Sequence, residues 1–127
     1  MHEYSVAMEL YEVVLKTAGN NSAKKVTSVD IDLGELTHIN PDQLIFCLEI
    51  LAKGSLMEDA KLNIVNTPSK IKCNCGYEGV LATDRPLMIS DLAFNLACPE
   101  CGNPVPTIIS GKEINVRNIK IELDDYV

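Results

Sequence analysis

Apolar residues near the start of the chain recur at helical spacing. Val6, Ala7, Leu10, Val13, Val14 and Ala18 fall three or four positions apart, while Glu3, Glu9, Glu12 and Lys16 occupy the positions between. That period predicts an amphipathic helix over Tyr4 to Ala18, with acids early and Lys16 late as the helix dipole favours. Gly19-Asn20-Asn21-Ser22 supplies a stop. The period then shortens. In residues 24–34, Val29, Ile31 and Leu33 alternate with Asp30 and Asp32, the two-residue repeat of a half-buried strand.

Asn40-Pro41-Asp42-Gln43 next combines a capping side chain, a proline at the first helical position and a Gln three residues after the cap. A second helix should begin there, carry Leu44, Cys47, Leu48 and Leu51 inward, and end near Lys53-Gly54. Phe46 and Ile50 make it apolar on more than one face, so it is expected to be the more buried of the two helices. A strand over Leu62 to Thr67 follows. In residues 113–123, Ile114 and Val116 alternate in one phase and Ile119, Ile121 and Leu123 in the other, which predicts a strand with a bulge or twist at Arg117-Asn118.

These two helices and three strands bracket a segment of different character. Residues 69–111 hold four of the five cysteines and four of the six prolines. The segment reads as an insertion between two strands of one sheet, giving an α+β architecture of two helices packed on a small three-stranded sheet. The expected boundaries are 1–69 plus 112–127 for the α+β part and 70–111 for the insert.

Composition narrows the function. A chain of 127 residues with 46% apolar content has the material for one domain carrying a smaller satellite. Its net charge of −7 removes the usual basis for gripping a phosphate backbone, so nucleic acid is excluded as the main partner. No apolar run approaches the roughly 20 residues of a membrane-spanning helix, and Glu49 interrupts the longest. Met1-His2-Glu3-Tyr4 lacks the basic start and apolar stretch of a secretory leader. The expected setting is the cytoplasm, where thiols stay reduced. Five is also an awkward count for disulfides and a natural one for four metal ligands plus one core thiol, Cys47.

Cys73-Asn74-Cys75-Gly76 and Cys98-Pro99-Glu100-Cys101-Gly102 both end in Cys-Gly, and 22 residues separate them. Two thiolates on one tight turn point at a common centre, and two such turns facing each other give the four-sulfur set that favours Zn²⁺. The insert is therefore zinc-ribbon-like, with Cys73, Cys75, Cys98 and Cys101 as ligands. One residue rather than two separates Cys73 from Cys75, which sets a different angle at the first pair. A ribbon of about 40 residues cannot build an adequate core alone, so the metal would supply folding energy rather than chemistry. A redox dithiol at Cys98 and Cys101 is the rival, although Gly102-Asn103-Pro104 stops a helix where that chemistry needs one to begin.

The amino terminus offers a second donor set. With the initiator retained before a bulky His2, the Met1 amine, the His2 backbone nitrogen and the His2 imidazole close five- and six-membered chelate rings suited to square-planar Ni(II) or Cu(II). Glu3, its backbone nitrogen, His38 or an incoming ligand would complete the square. Binding requires deprotonated donors and should weaken as pH falls. Nothing else in the chain suggests catalysis. Asp30, Asp32, Glu35, Glu122, Asp124 and Asp125 read as a solvated strand face and tail, and no phosphate loop or dinucleotide turn is present.

Met1-His2-Glu3-Tyr4-Ser5, Leu33-Gly34-Glu35-Leu36, Pro41-Asp42-Gln43-Leu44, the two cysteine pairs and Ser110-Gly111-Lys112-Glu113 before a final strand resemble, in order and spacing, the HypA/HybF hydrogenase-maturation nickel metallochaperones. The resemblance implies a protein that is not an enzyme. It would bind Ni(II) as cargo through Met1, His2 and Glu3, and structural Zn²⁺ through the four cysteines. It further implies partnership with the GTPase HypB and delivery to the large-subunit precursor of [NiFe] hydrogenase, with urease served by some members. The departure is Cys73-Asn74-Cys75 where the family usually has Cys-x-x-Cys. Two questions stay open: whether the chain acts alone or as a homodimer, and whether it is instead a zinc-ribbon interaction module without nickel delivery.

Overall fold

The computed structural model describes residues 3–80 and 97–124. Helix α1 spans Glu3–Asn20, strand β1 Lys25–Gly34, helix α2 Pro41–Ala52 and strand β2 Lys61–Thr67. The cysteine-bearing segment contributes β3 (Lys70–Lys72), β4 (Glu78–Val80) and β5 (Thr107–Ser110), and β6 (Ile114–Glu122) closes the order. The chain divides into two compact units. One comprises Met1–Asp32, Ile39–Val65 and Asn115–Val127, and the other Leu33–His38 and Asn66–Ile114. The fold is α+β, with the two helices and a three-stranded sheet ordered β2-β1-β6, and the insertion carries its own three-stranded sheet ordered β4-β3-β5.

In the first unit α1 and α2 pack together. Val6, Ala7, Leu10, Val14 and Ala18 of α1 meet Leu44, Leu48 and Ala52 of α2 in one apolar core, joined by Val26, Val29 and Ile31 from β1 and by Met57. Spacings of three and four keep each set on one helix face. Asn40 caps α2 by accepting the Gln43 N–H at 3.1 Å, and Pro41 follows at the first helical position. The expectation that α2 is the more buried helix is corrected. Phe46 is 62% and Ile50 48% exposed, because residues two positions from the Leu44–Leu48–Ala52 stripe point away from α1. Val13 of α1, at the margin of its helix's buried face, is also exposed, and Cys47 is half-buried rather than a core residue. The phase slip in β6 is present: Arg117 and Asn118 are consecutive exposed residues between half-buried Val116 and Ile119.

The acids of β1 correct a second expectation. Asp30 accepts from Asn63 Nδ2 at 2.8 Å and Asn118 Nδ2 at 3.4 Å, bonds that hold its carboxyl below the usual carboxylate range, the Asn63 bond foremost. Asp32 takes a two-pronged contact from Arg117, with Nη2 at 2.7 Å and Nε at 3.1 Å. The polar face of β1 is thus cross-linked to β2 and β6 rather than merely solvated.

Candidate metal centre

The frame of the second unit starts at the end of β1. Gly34 donates its N–H to Glu113 O at 2.9 Å, and Leu36 donates to Gly111 O at 2.7 Å. So close an approach excludes a side chain at position 34, where a Cβ would collide with the Gly111 carbonyl. Glu35 then reaches Ser69, whose N–H and Oγ both donate to the same carboxylate oxygen, at 2.8 and 2.9 Å. Ser69 is 1% exposed, so this carboxylate replaces water that the serine cannot reach. Glu35, expected on a solvated face, is a brace at the foot of the insertion.

From that foot β3 pairs antiparallel with β4, Ile71 opposite Gly79, and with β5, Ile71 opposite Ile108. Ile71 is fully buried and packs with Cys73 and Cys98, flanked by Tyr77 and Ile108. That cluster is small, as the sequence predicted, and it carries two of the four thiols. The Tyr77 hydroxyl closes the β4 side by donating to Val80 O at 2.8 Å.

Each cysteine pair sits on a turn closed twice by the backbone. In the first, Gly76 N–H donates to Cys73 O at 3.0 Å and Cys73 N–H to Tyr77 O at 2.9 Å. In the second, Gly102 N–H donates to Cys98 O and Cys98 N–H to Asn103 O, both at 2.9 Å. Each closure in the first turn spans one residue fewer than its counterpart in the second. The glycine after each pair absorbs the bend, with φ of +99° at Gly76 and +76° at Gly102. Cys73-Asn74-Cys75 therefore forms a shortened version of the same turn.

The two turns bring all four sulfurs within 4.8 Å of one another. Cys73 Sγ lies 3.5 Å from Cys101 Sγ, and Cys75 Sγ 3.7 Å from Cys98 Sγ. A tetrahedral Zn²⁺ site with Zn–S bonds of about 2.3 Å has sulfur–sulfur edges of about 3.8 Å. The donor set and its spacing therefore fit a four-coordinate soft metal ion.

The thiols do not ionise alike. Cys73 is held down to about 6, chiefly by the backbone N–H of Cys75 and next by the Asn103 carboxamide. Cys101 is pushed up to about 12: the Asn103 backbone N–H favours its thiolate, but the neighbouring Cys73 sulfur and withdrawal from water outweigh that bond. Cys75 is raised in the same way, the Tyr77 N–H being overcome by burial and by the Cys73 and Cys98 sulfurs. Crowded sulfurs resist sharing more than one negative charge, and a divalent cation at their centre removes that resistance.

The other sequence candidates lie elsewhere. Met1 and His2 fall outside the described residues. Glu3 opens α1, and its Oε1 accepts the Asn40 N–H at 3.2 Å, joining the start of α1 to the cap of α2. His38 follows the short 3₁₀ turn Glu35–Thr37 with φ of +56°, and its Nε2 is buried without a hydrogen-bond partner among the described residues. Sequence reasoning missed the Glu35–Ser69 brace and Asn103. The Leu33-Gly34-Glu35-Leu36 motif was the available signal for the first, and nothing in the spacing pointed to the second.

Comparison with known proteins gives this arrangement a context. The family model described as hydrogenase/urease nickel incorporation, metallochaperone, HypA matches residues 1–121. The hydrogenase maturation factor HypA of Methanothermobacter thermautotrophicus is 39% identical over 125 residues, covering 98% of this chain and all of that protein. Its counterpart in Methanosarcina acetivorans is 37% identical over 131 residues, covering 98% of each chain. A solution structure of the Ni metallochaperone HypA from Helicobacter pylori has a TM-score of 0.70 at 24% identity, covering 98% of this chain and 100% of the other, a likeness of fold.

Proposed function

This chain belongs to the HypA family of nickel-incorporation metallochaperones, and from that premise we propose that it carries Ni(II) at its amino terminus and a structural Zn²⁺ in its four-cysteine insert. The nickel donors are the Met1 amine, His2 and Glu3. The zinc ligands are Cys73, Cys75, Cys98 and Cys101. On this reading residues 1–69 plus 112–127 form the nickel-binding part and 70–111 the zinc-binding part. The recipient is the large-subunit precursor of a [NiFe] hydrogenase, the cooperating partner is the GTPase HypB, and the setting is the cytoplasm.

The observation that carries the division is the closure of the thiol cluster. Four sulfurs within 4.8 Å saturate a tetrahedral ion and leave no exchange position. A carrier must release its cargo, so nickel needs a separate site with a replaceable ligand. An amino-terminal chelate of three nitrogens provides one. The insert's metal contributes folding energy to a unit whose core centres on Ile71, Cys73 and Cys98.

Metal analysis of untagged protein, followed by nickel titration, tests the assignment. The protein should hold one zinc as purified and bind one Ni(II). His2→Ala, or residues added before Met1, should abolish nickel binding and leave zinc in place. Cys98→Ser should release zinc. Undiminished nickel affinity in both altered amino termini would refute the nickel site, and zinc retained by Cys98→Ser would refute the tetrathiolate.

A further inference from the structure

Asn103 uses every polar group it has on the metal-centre frame. Its carbonyl accepts the Cys98 N–H at 2.9 Å, and its own N–H bonds to Cys101 Sγ. Its Oδ1 accepts the Val105 N–H at 3.1 Å, and its Nδ2 reaches Cys73 Sγ at 3.6 Å. The Val105 bond fixes the carboxamide's orientation, because a reversed amide would set one N–H against another. The donor nitrogen is thereby aimed at sulfur. Among the four ligands, Cys73 comes first in the shortened turn. That turn offers its sulfur the Cys75 N–H, and Asn103 adds another from the facing turn.

We propose that Asn103 is a positioning residue of the metal centre, its carboxamide tying Cys73 Sγ to the opposite turn and setting how readily the centre gives up its metal. The inference rests on the tetrathiolate reading above. An N–H donated to a thiolate draws electron density from the sulfur and makes it less basic and less nucleophilic. Without that bond, nothing ties the Cys73 sulfur to the facing turn, so Cys73 becomes the ligand that detaches and reacts first, and metal loss starts there. If Asn103 served the fold through its main chain alone, its side chain would be irrelevant to the metal.

Asn103→Asp keeps the Oδ1 acceptor for Val105, loses the donor facing sulfur and sets a negative charge there instead. Asn103→Ala removes both side-chain bonds without adding charge, and every main-chain bond survives. Co(II) replaces zinc as the probe. Wild type and both variants should show four-sulfur Co(II) spectra, with the sulfur-to-cobalt charge-transfer band moved to lower energy in the variants. Zinc affinity by chelator competition should fall about 10- to 100-fold, the usual effect of removing a partner of a ligating group. Iodoacetamide should mark Cys73 first in both variants. An unmoved band with wild-type zinc affinity in either folded variant, or first alkylation at another cysteine, would overturn the proposal. If wild-type protein itself lacks a four-sulfur Co(II) spectrum, the tetrathiolate reading fails and takes this inference with it.

Discussion

Removing the Glu35 carboxylate should loosen the foot of the insertion by a calculable amount. Ser69 donates its N–H and its Oγ to the same Glu35 oxygen, at 2.8 and 2.9 Å, and is itself 1% exposed. A hydrogen bond to a charged acceptor contributes about 1.5–3 kcal/mol. Two bonds that share one oxygen do not add in full, so Glu35→Ala should cost about 2–4 kcal/mol locally. Ser69→Ala removes only the hydroxyl bond and should cost about half as much. Because both changes act on one contact, the double variant should cost less than the sum of the two. At about 1.4 kcal/mol per tenfold, Ser69 amide exchange should accelerate about 30- to 1,000-fold in Glu35→Ala. Glu35→Gln keeps an acceptor oxygen and should fall between. Amide exchange by NMR on the metal-loaded protein measures this, with the α1 amides as internal reference. Unchanged Ser69 exchange in a folded Glu35→Ala protein would refute the brace.

Metal loading should release protons in a pattern set by the thiols. At about pH 7.5 Cys73, held near 6, is already mostly thiolate, while Cys75 and Cys101, both raised, keep their protons until the metal arrives. Binding heats measured in buffers of different ionisation enthalpy should therefore differ, and affinity should weaken further as pH falls through about 6 and Cys73 is protonated; buffer-independent heats would contradict this. Gly34→Ala should drive its methyl into the Gly111 carbonyl, within 2.8 Å of Glu113 O as well. A loss of about 1–3 kcal/mol is expected, read as a lower urea midpoint, and an unchanged midpoint would show that the end of β1 is free to shift.

The elements of this protein are written in local pattern. The three- and four-residue spacing of Val6, Leu10, Val14 and Ala18, the Asn40-Pro41 start of α2 and the alternation of Val29, Ile31 and Leu33 each involve neighbours in the chain, so the sequence alone was sufficient to locate them. The same holds for the two Cys-Gly turns, whose shape depends on a handful of consecutive residues. Tertiary structure decided which faces found partners. Phe46 and Ile50 have the composition of core residues, yet α1 covers only the Leu44–Leu48–Ala52 side of their helix. Glu35 reads as a surface acid until Ser69, 34 residues later, is placed against it. Asn103 reads as loop material until Cys73, 30 residues earlier, comes within reach of its carboxamide. Periodicity reports which way a side chain faces, while burial and charge balance depend on what the fold brings opposite it. For the candidate metal centre, spacing singled out the four cysteines, and only the meeting of two distant turns brought their sulfurs within 4.8 Å of one another.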